Sequence, residues 1–285
     1  MNTPSLRFLI FFIIVLMWAC DKDQQGAETN AQSSSGHNKG RPVAIESDKI
    51  FMEDGRKMLW GGEDSTWHFD ITNSTLVDSQ YHYGIGREHF DALIEPEFTT
   101  LAQADEKYND EDRFLLLEIN GDARAYGIDL LTHHEVVNDN VGGKPVMAAY
   151  CILADLGAVY DRRINGRAHT FALTGYTYYD PEVWDGMDGF VLWDRETEST
   201  WWPLIGKAVS GPLLNTPMKV LDEQNWNQTT WEKIKQQYDD IDVLKHGQKM
   251  DPPENWPSYE VETDKQQMTA EEKDAIAPRW GENSR

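Results

Sequence analysis

The stretch RFLLLEINGDARAYGI, residues 113–128, carries the fold class. Arg113 to Ile119 is a short run dominated by large apolar side chains, which suits a strand. Asn120-Gly121 then supplies the dipeptide that a tight type I′ turn needs, because both central residues of that turn take positive φ. Asp122 to Ile128 returns along the first run, so the stretch predicts an antiparallel hairpin. The same grammar recurs at Gly157 to Ile164, Asn165-Gly166 and Arg167 to Leu173. A third apolar run, Phe190 to Trp193, follows a Gly- and Asp-rich loop from Asp180 to Gly189. Helical spacing is expected over Asp129 to Asn138 and over Thr229 to Tyr238, where Thr229 or Thr230 caps and Trp231, Ile234 and Tyr238 share a face. Short antiparallel strands dominate, so the expected class is α+β: a single domain with a mostly antiparallel β core and a few short helices.

That domain is expected over residues 49–250, and the flanks read differently. Arg7 precedes the apolar run FLIFFIIVLMWA, which ends at Cys20. The run is shorter than the roughly 20 apolar residues of a spanning helix, and it reads as the core of a bacterial signal peptide over residues 1–19. Leu16-Met17-Trp18-Ala19 before Cys20 resembles a lipobox, which makes Cys20 the expected lipidation site and the membrane the expected first partner. Residues 20–48 are polar and rich in Gly and Ser, the composition of a flexible tether. Residues 251–285 form an acidic, Pro-rich C-terminal extension without sustained periodicity. The expected location is the cell envelope, lipid-anchored and extracytoplasmic, in the periplasm or at the cell surface.

The formal charge is -23, and loss of residues 1–19, whose only charge is Arg7, would make it -24. Such a surface repels phosphate backbones, which argues against nucleic acid as a partner. The chain has two cysteines. With Cys20 lipidated, Cys151 is the remaining thiol and no intramolecular disulfide can form.

Residues 132–163, THHEVVNDNVGGKPVMAAYCILADLGAVYDRR, concentrate the side chains that carry chemistry. His134-Glu135 does not begin the HExxH pattern of zinc proteases, since the fifth position is Asn138. Adjacent His133 and His134 point about 100° apart on a helix, so one metal would not take both. A site of His134, Glu135 and Cys151 remains chemically coherent, because imidazole and thiolate suit zinc or copper. The plainer reading is a buried imidazole and an inert buried cysteine.

The order Gly121-Asp122-Ala123-Arg124-Ala125-Tyr126, His134-Glu135-Val136-Val137-Asn138-Asp139, Val141 to Val146, Tyr150-Cys151, Val159-Tyr160-Asp161-Arg162, Asp194-Arg195-Glu196-Thr197 and Ser210-Gly211-Pro212-Leu213 resembles domain-of-unknown-function family 3179 of bacteria and archaea. The resemblance runs from about His82 to about Leu244 and implies no established activity. Family members usually show Cys-Pro-Leu-Cys-Gly where this chain has Cys151-Ile152-Leu153-Ala154-Asp155. Ala154 in place of the second cysteine removes any dithiolate or CxxC redox chemistry. His133 stands where the family usually has Trp, which makes His133 or Asp155 the candidate replacement ligand.

The residues leave a second expectation open. Tyr176, Tyr178, Tyr179, Trp184, Trp193, Trp201 and Trp202 cluster in sequence around the acidic loop, and aromatic faces beside carboxylates suit sugar rings. Asp161-Arg162 and Asp194-Arg195 each close an apolar strand, so a ligand site of Asp161, Arg162, Tyr178, Trp193, Asp194, Arg195 and Trp201 would make a surface glycan-binding or glycan-processing protein. Large aromatics also dominate β cores, and a strand-end Asp-Arg pair is ordinarily a solvated end. The working expectation is therefore a binding protein with a transition-metal site, its alternative a glycan-directed protein, and its protein partners unknown.

Overall fold

The structure, a computed structural model, describes residues 49–250. The expected signal peptide over 1–19, the expected lipidation site Cys20, the expected tether over 20–48 and the expected extension over 251–285 lie outside the described residues. Three five-stranded sheets carry the fold, with few and short helices, so the class is α+β with a mostly β core.

The middle sheet is ordered Lys219–Val220, Leu156–Asp161, Lys144–Cys151, Val136–Val141, Leu93–Ile94. Its centre, KPVMAAYC, is a nearly unbroken apolar run because both of its faces are covered. Side chains alternate faces along a strand. Met147, Ala149 and Cys151 join Phe171, Trp193, Trp201 and Trp202 on one side. Val146, Ala148 and Tyr150 join Leu115, Leu117 and Tyr126 on the other.

The second sheet runs Lys207–Ala208, Thr200–Trp202, Gly189–Asp194, Phe171–Tyr178, Tyr81–Tyr83, all antiparallel. It supplies most of the buried aromatic rings of the first core. At roughly 25 cal/mol per Å², a ring that removes roughly 200 Å² from water contributes about 5 kcal/mol before entropy is charged against it. A small sheet of Ile50–Glu53, Arg56–Leu59 and Phe69–Asp70 adds Leu59 and Phe69 to this core.

The third sheet holds the hairpin that decided the class. Arg113–Ile119 and Asp122–Gly127 pair antiparallel with Ile119 opposite Asp122. Asn120 and Gly121 take φ of 53° and 80°, the positive values a two-residue turn requires. Trp226–Thr230 flanks one side, while Asp242–Leu244 and Phe98–Thr99 extend the other. Among the described residues no helix is long and apolar enough to cross a membrane.

Three boundaries differ from the sequence expectation. The helix expected to reach Asn138 is Ile128–His134 and stops at Glu135, which turns left-handed at φ 55° while its N–H still bonds the Leu131 carbonyl at 2.7 Å. Val136–Val141 then pairs with Lys144–Cys151, so ladder formation overrides a short helical spacing. The second expected hairpin closes over only two residues a side, Arg163–Ile164 and Arg167–Ala168. Its outer halves part: Leu156–Asp161 stays in the middle sheet and Phe171–Tyr178 enters the second. The last helix is Trp231–Gln237, since Thr229 and Thr230 belong to a strand.

Candidate functional site

Glu135 and Cys151 come together because the left-handed stop at Glu135 feeds directly into the sheet. The Glu135 carbonyl accepts from the Tyr150 amide at 2.9 Å, and its side chain accepts from the Ile152 amide at 3.4 Å. The carboxyl is buried, and among the described residues no cation pairs with it. Desolvation therefore pushes its pKa up to about 8, against a weaker opposing pull from the Ile152 amide.

The Cys151 thiol is buried beside it and is pushed up to about 12, first by burial and then by the Glu135 charge. Three backbone amides, of Ala154, Phe190 and Leu153, pull the other way. Cys151 Sγ donates to the Asp188 carbonyl at 3.8 Å. Both groups thus hold protons at neutral pH, and Cys151 is a poor nucleophile in this state.

Cys151 lines a cleft of about 230 Å³ between the middle and second sheets. The cleft exists because side chains are small where the sheets face each other: Ala149 lies opposite Ala158 across two strands, and Gly189 begins the facing strand. Tyr160, Phe190 and Leu204 close the walls. Burial also raises the Tyr160 hydroxyl pKa.

Beneath the same segment, the fully buried Asp188 carboxylate accepts from Thr177 Oγ1 at 3.0 Å and is engaged by His82 Nδ1. His82 pairs opposite Thr177 across the strands, which puts both side chains on one face.

The other expected metal ligands are held elsewhere. His133 is exposed and its Nδ1 donates to the Asp129 carbonyl of its own helix at 2.8 Å. His134 Nδ1 donates to the Asp91 carbonyl at 2.8 Å. Asp155 accepts from Arg113 at 3.0 Å and from the Tyr150 hydroxyl at 2.5 Å. The five candidates do not gather around one point; Glu135 and Cys151 do. Among the described residues, three His, Cys, Asp or Glu ligand atoms approach within 4.8 Å of one another at a different place, His169, Asp194 and Glu196.

That corner is a closed hydrogen-bond network. The buried Asp194 carboxylate accepts from Trp201 Nε1 at 2.8 Å, His169 Nδ1 at 2.9 Å, and the Thr197 amide and hydroxyl at 2.8 Å and 2.9 Å. Glu196 accepts from the Thr170 amide at 2.7 Å. The donors occupy the lone pairs that an ion would need.

The aromatic platform is corrected by burial. Tyr178, Trp193 and Trp201 are at most 1% exposed and pack into the first core, so they offer no face to a sugar. Arg195 forms a two-pronged pair with Glu88 at 3.0 and 2.6 Å. Arg162 donates to the carbonyls of His169 and Asp139, and burial lowers its pKa. Asp161 accepts from the Arg163 amide at 2.9 Å and faces Lys144 at 3.6 Å.

Sequence reasoning passed over His82 and His169; it met Glu196 only within a family motif, Asp188 only as one of the acids of the Asp180 to Gly189 loop, and Trp202 only among the aromatics around that loop. Thr197, three residues past Asp194, is the one local signal, since Asp followed by Thr commonly closes a side-chain turn. His82 and Asp188 lie 106 residues apart and meet only through the sheet.

The α+β domain thus carries a narrow inter-sheet cleft lined by a protonated thiol, with a protonated carboxyl beside that thiol. The chain matches the family model described as a protein of unknown function, DUF3179, over residues 87–277, and it belongs to that family. The matched span contains Glu135, Cys151 and every wall of the cleft. No curated protein and no solved structure matches the chain.

Proposed function

We propose that the protein is an extracytoplasmic binding protein, tethered to the membrane through Cys20, and that its ligand sits in the cleft at Cys151. One observation carries this reading: the cleft is lined by the buried Cys151 thiol, beside which lies the buried Glu135 carboxyl, and no cation among the described residues offsets that burial. A buried carboxyl without a cation costs stability, and perturbed groups in a cleft cluster at functional sites. The tether rests on the apolar run before Cys20. Cys20→Ser is expected to move the chain from the membrane fraction to the soluble fraction.

The direct test is a spectrum of the ¹⁵N-labelled full chain against small neutral organic molecules. The amides of Ala149, Ala158 and Gly189 are expected to shift together and saturably. Ala158→Leu, which fills the cleft while leaving the outer sheets untouched, is expected to abolish the shifts. Binding that survives Ala158→Leu would move the site elsewhere.

A transition metal is the second reading, favoured by the three backbone amides that surround the Cys151 sulfur, a setting suited to a thiolate. Zinc or copper would take Cys151 and Glu135 after both lose their protons, with remaining ligands from water or from a turned His134. Mass spectrometry of the full chain purified without chelator would then give one metal per chain, lost in Cys151→Ser.

A further inference from the structure

Trp202 is 1% exposed, and no acceptor meets its indole N–H among the described residues. Its ring is fixed edge-on against Tyr178, with centroids 4.7 Å apart, and Leu204, which follows it by two residues, lines the cleft. A buried donor without an acceptor costs about 1–3 kcal/mol, which makes its position informative. A Cβ built on Gly189 would lie 3.1 Å from Trp202 Nε1, and 2.7 and 3.0 Å from Leu204 Cδ1 and Cγ. The space over Gly189 is thus within hydrogen-bonding reach of the indole N–H, and Leu204 stands over it. Gly189 and Leu204 both line the cleft. The Tyr160 hydroxyl, on the same wall, makes no hydrogen bond with any described residue.

We propose that the cleft takes a small neutral molecule with an apolar body and one hydrogen-bond acceptor, a carbonyl or ether oxygen, which enters over Gly189, displaces Leu204 and accepts from Trp202 Nε1. The proposal rests on the cleft being the binding site and adds the chemical class of its occupant. Three features set that class. The walls are Ala149, Ala158, Phe190 and Leu204, so the body is apolar. The chain carries a net charge of -23 and none of the residues lining the cleft is cationic, so an anion is repelled. An ammonium group cannot accept from an indole, so a cation leaves Trp202 as it was. Size follows from volume: a dry cavity of about 150 Å³ takes benzene, and drug-sized ligands need roughly 300–1,000 Å³. A cleft of about 230 Å³ fits one substituted ring. Leu204 moves at small cost because it is half-buried on the short turn Pro203–Ile205.

Acetophenone and α-methylstyrene have nearly the same shape and differ in whether they carry a carbonyl oxygen or a methylene, so together they isolate the acceptor. The full chain, labelled with ¹⁵N, is titrated with each into the millimolar range, and Trp202→Phe identifies the Trp202 indole resonance by its loss. Acetophenone is expected to move that indole proton downfield and saturably, in step with the Ala149, Ala158 and Gly189 amides. α-Methylstyrene is expected to move the amides and leave the indole proton in place. Trp202→Phe is expected to weaken acetophenone about tenfold, equivalent to about 1.4 kcal/mol, and α-methylstyrene hardly at all. If both probes move the amides alike while the indole proton stays still, the cleft is a site and the acceptor proposal is overturned. If neither probe moves the cleft amides, the cleft reading falls and takes this proposal with it.

Discussion

Two polar corners of the same core differ in one respect. At Asp194, a fully buried carboxylate meets an indole, an imidazole, an amide and a hydroxyl, and its charge is answered on all sides. At Cys151, a buried carboxyl and thiol sit side by side, and among the described residues no cation meets the carboxyl and no acceptor meets the nearby indole of Trp202. Buried polar groups that are fully hydrogen-bonded rigidify and specify a core. Those left incomplete cost stability, and their persistence is what marks a site. Three potential ligand atoms meet at the first corner and only two at the second, yet the second is the better candidate, because its groups are not already spent.

Mutations should separate the corners by size of effect. Asp194→Ala strands the donors of Trp201, His169 and Thr197 in the core and is expected to cost about 4–5 kcal/mol in urea unfolding, or to prevent folding. Splitting the Arg195 and Glu88 pair with Arg195→Met leaves a poorly exposed carboxylate without its two-pronged partner, with an expected loss of about 2–3 kcal/mol. Cys151→Ala removes one sulfur from a loosely filled wall and is expected to cost only about 1 kcal/mol. Trp202→Phe deletes an unanswered donor and keeps most of the ring; its expected change lies within about 1 kcal/mol of zero, and a gain in stability is allowed. A Trp202→Phe loss as large as that of Asp194→Ala would erase the distinction between the corners.

Much of the β architecture could be read in advance. Asn120-Gly121 fixes a hairpin because few dipeptides tolerate two positive φ values, and both flanking strands lie where the residues place them. The helix stop at Glu135 was not readable, because Val136 and Val137 fit a helical face as well as a strand, and pairing with Lys144–Cys151 decides between them. Glu135 and Cys151 could be brought together through the short Gly142-Gly143 connection. The cleft could not: it depends on Ala149, Ala158 and Gly189 facing one another across two sheets. The two Asp-Arg strand ends show the limit most plainly. They share a local text, but Asp161 faces Lys144 and solvent while Asp194 is sealed under Trp201, and burial is set by elements distant in sequence.

The measurement that bears most directly on the Cys151 corner is urea unfolding of Glu135→Gln beside the parent chain from pH 5 to above pH 8. The carboxyl pKa rises from 4.5 in the unfolded chain to about 8 in the fold. Over that window the folded state binds the extra proton, so the Glu135 contribution to stability is intact below pH 4.5 and falls as pH rises, by at most about 1.4 kcal/mol per pH unit, levelling off above pH 8. Glutamine keeps the shape and the acceptor for the Ile152 amide without the titration. The expected result is a variant that overtakes the parent progressively as pH rises toward 8. A variant weaker than the parent by the same margin at every pH would mean that Glu135 is a satisfied structural group, and the cleft would lose the feature that sets it apart from Asp194.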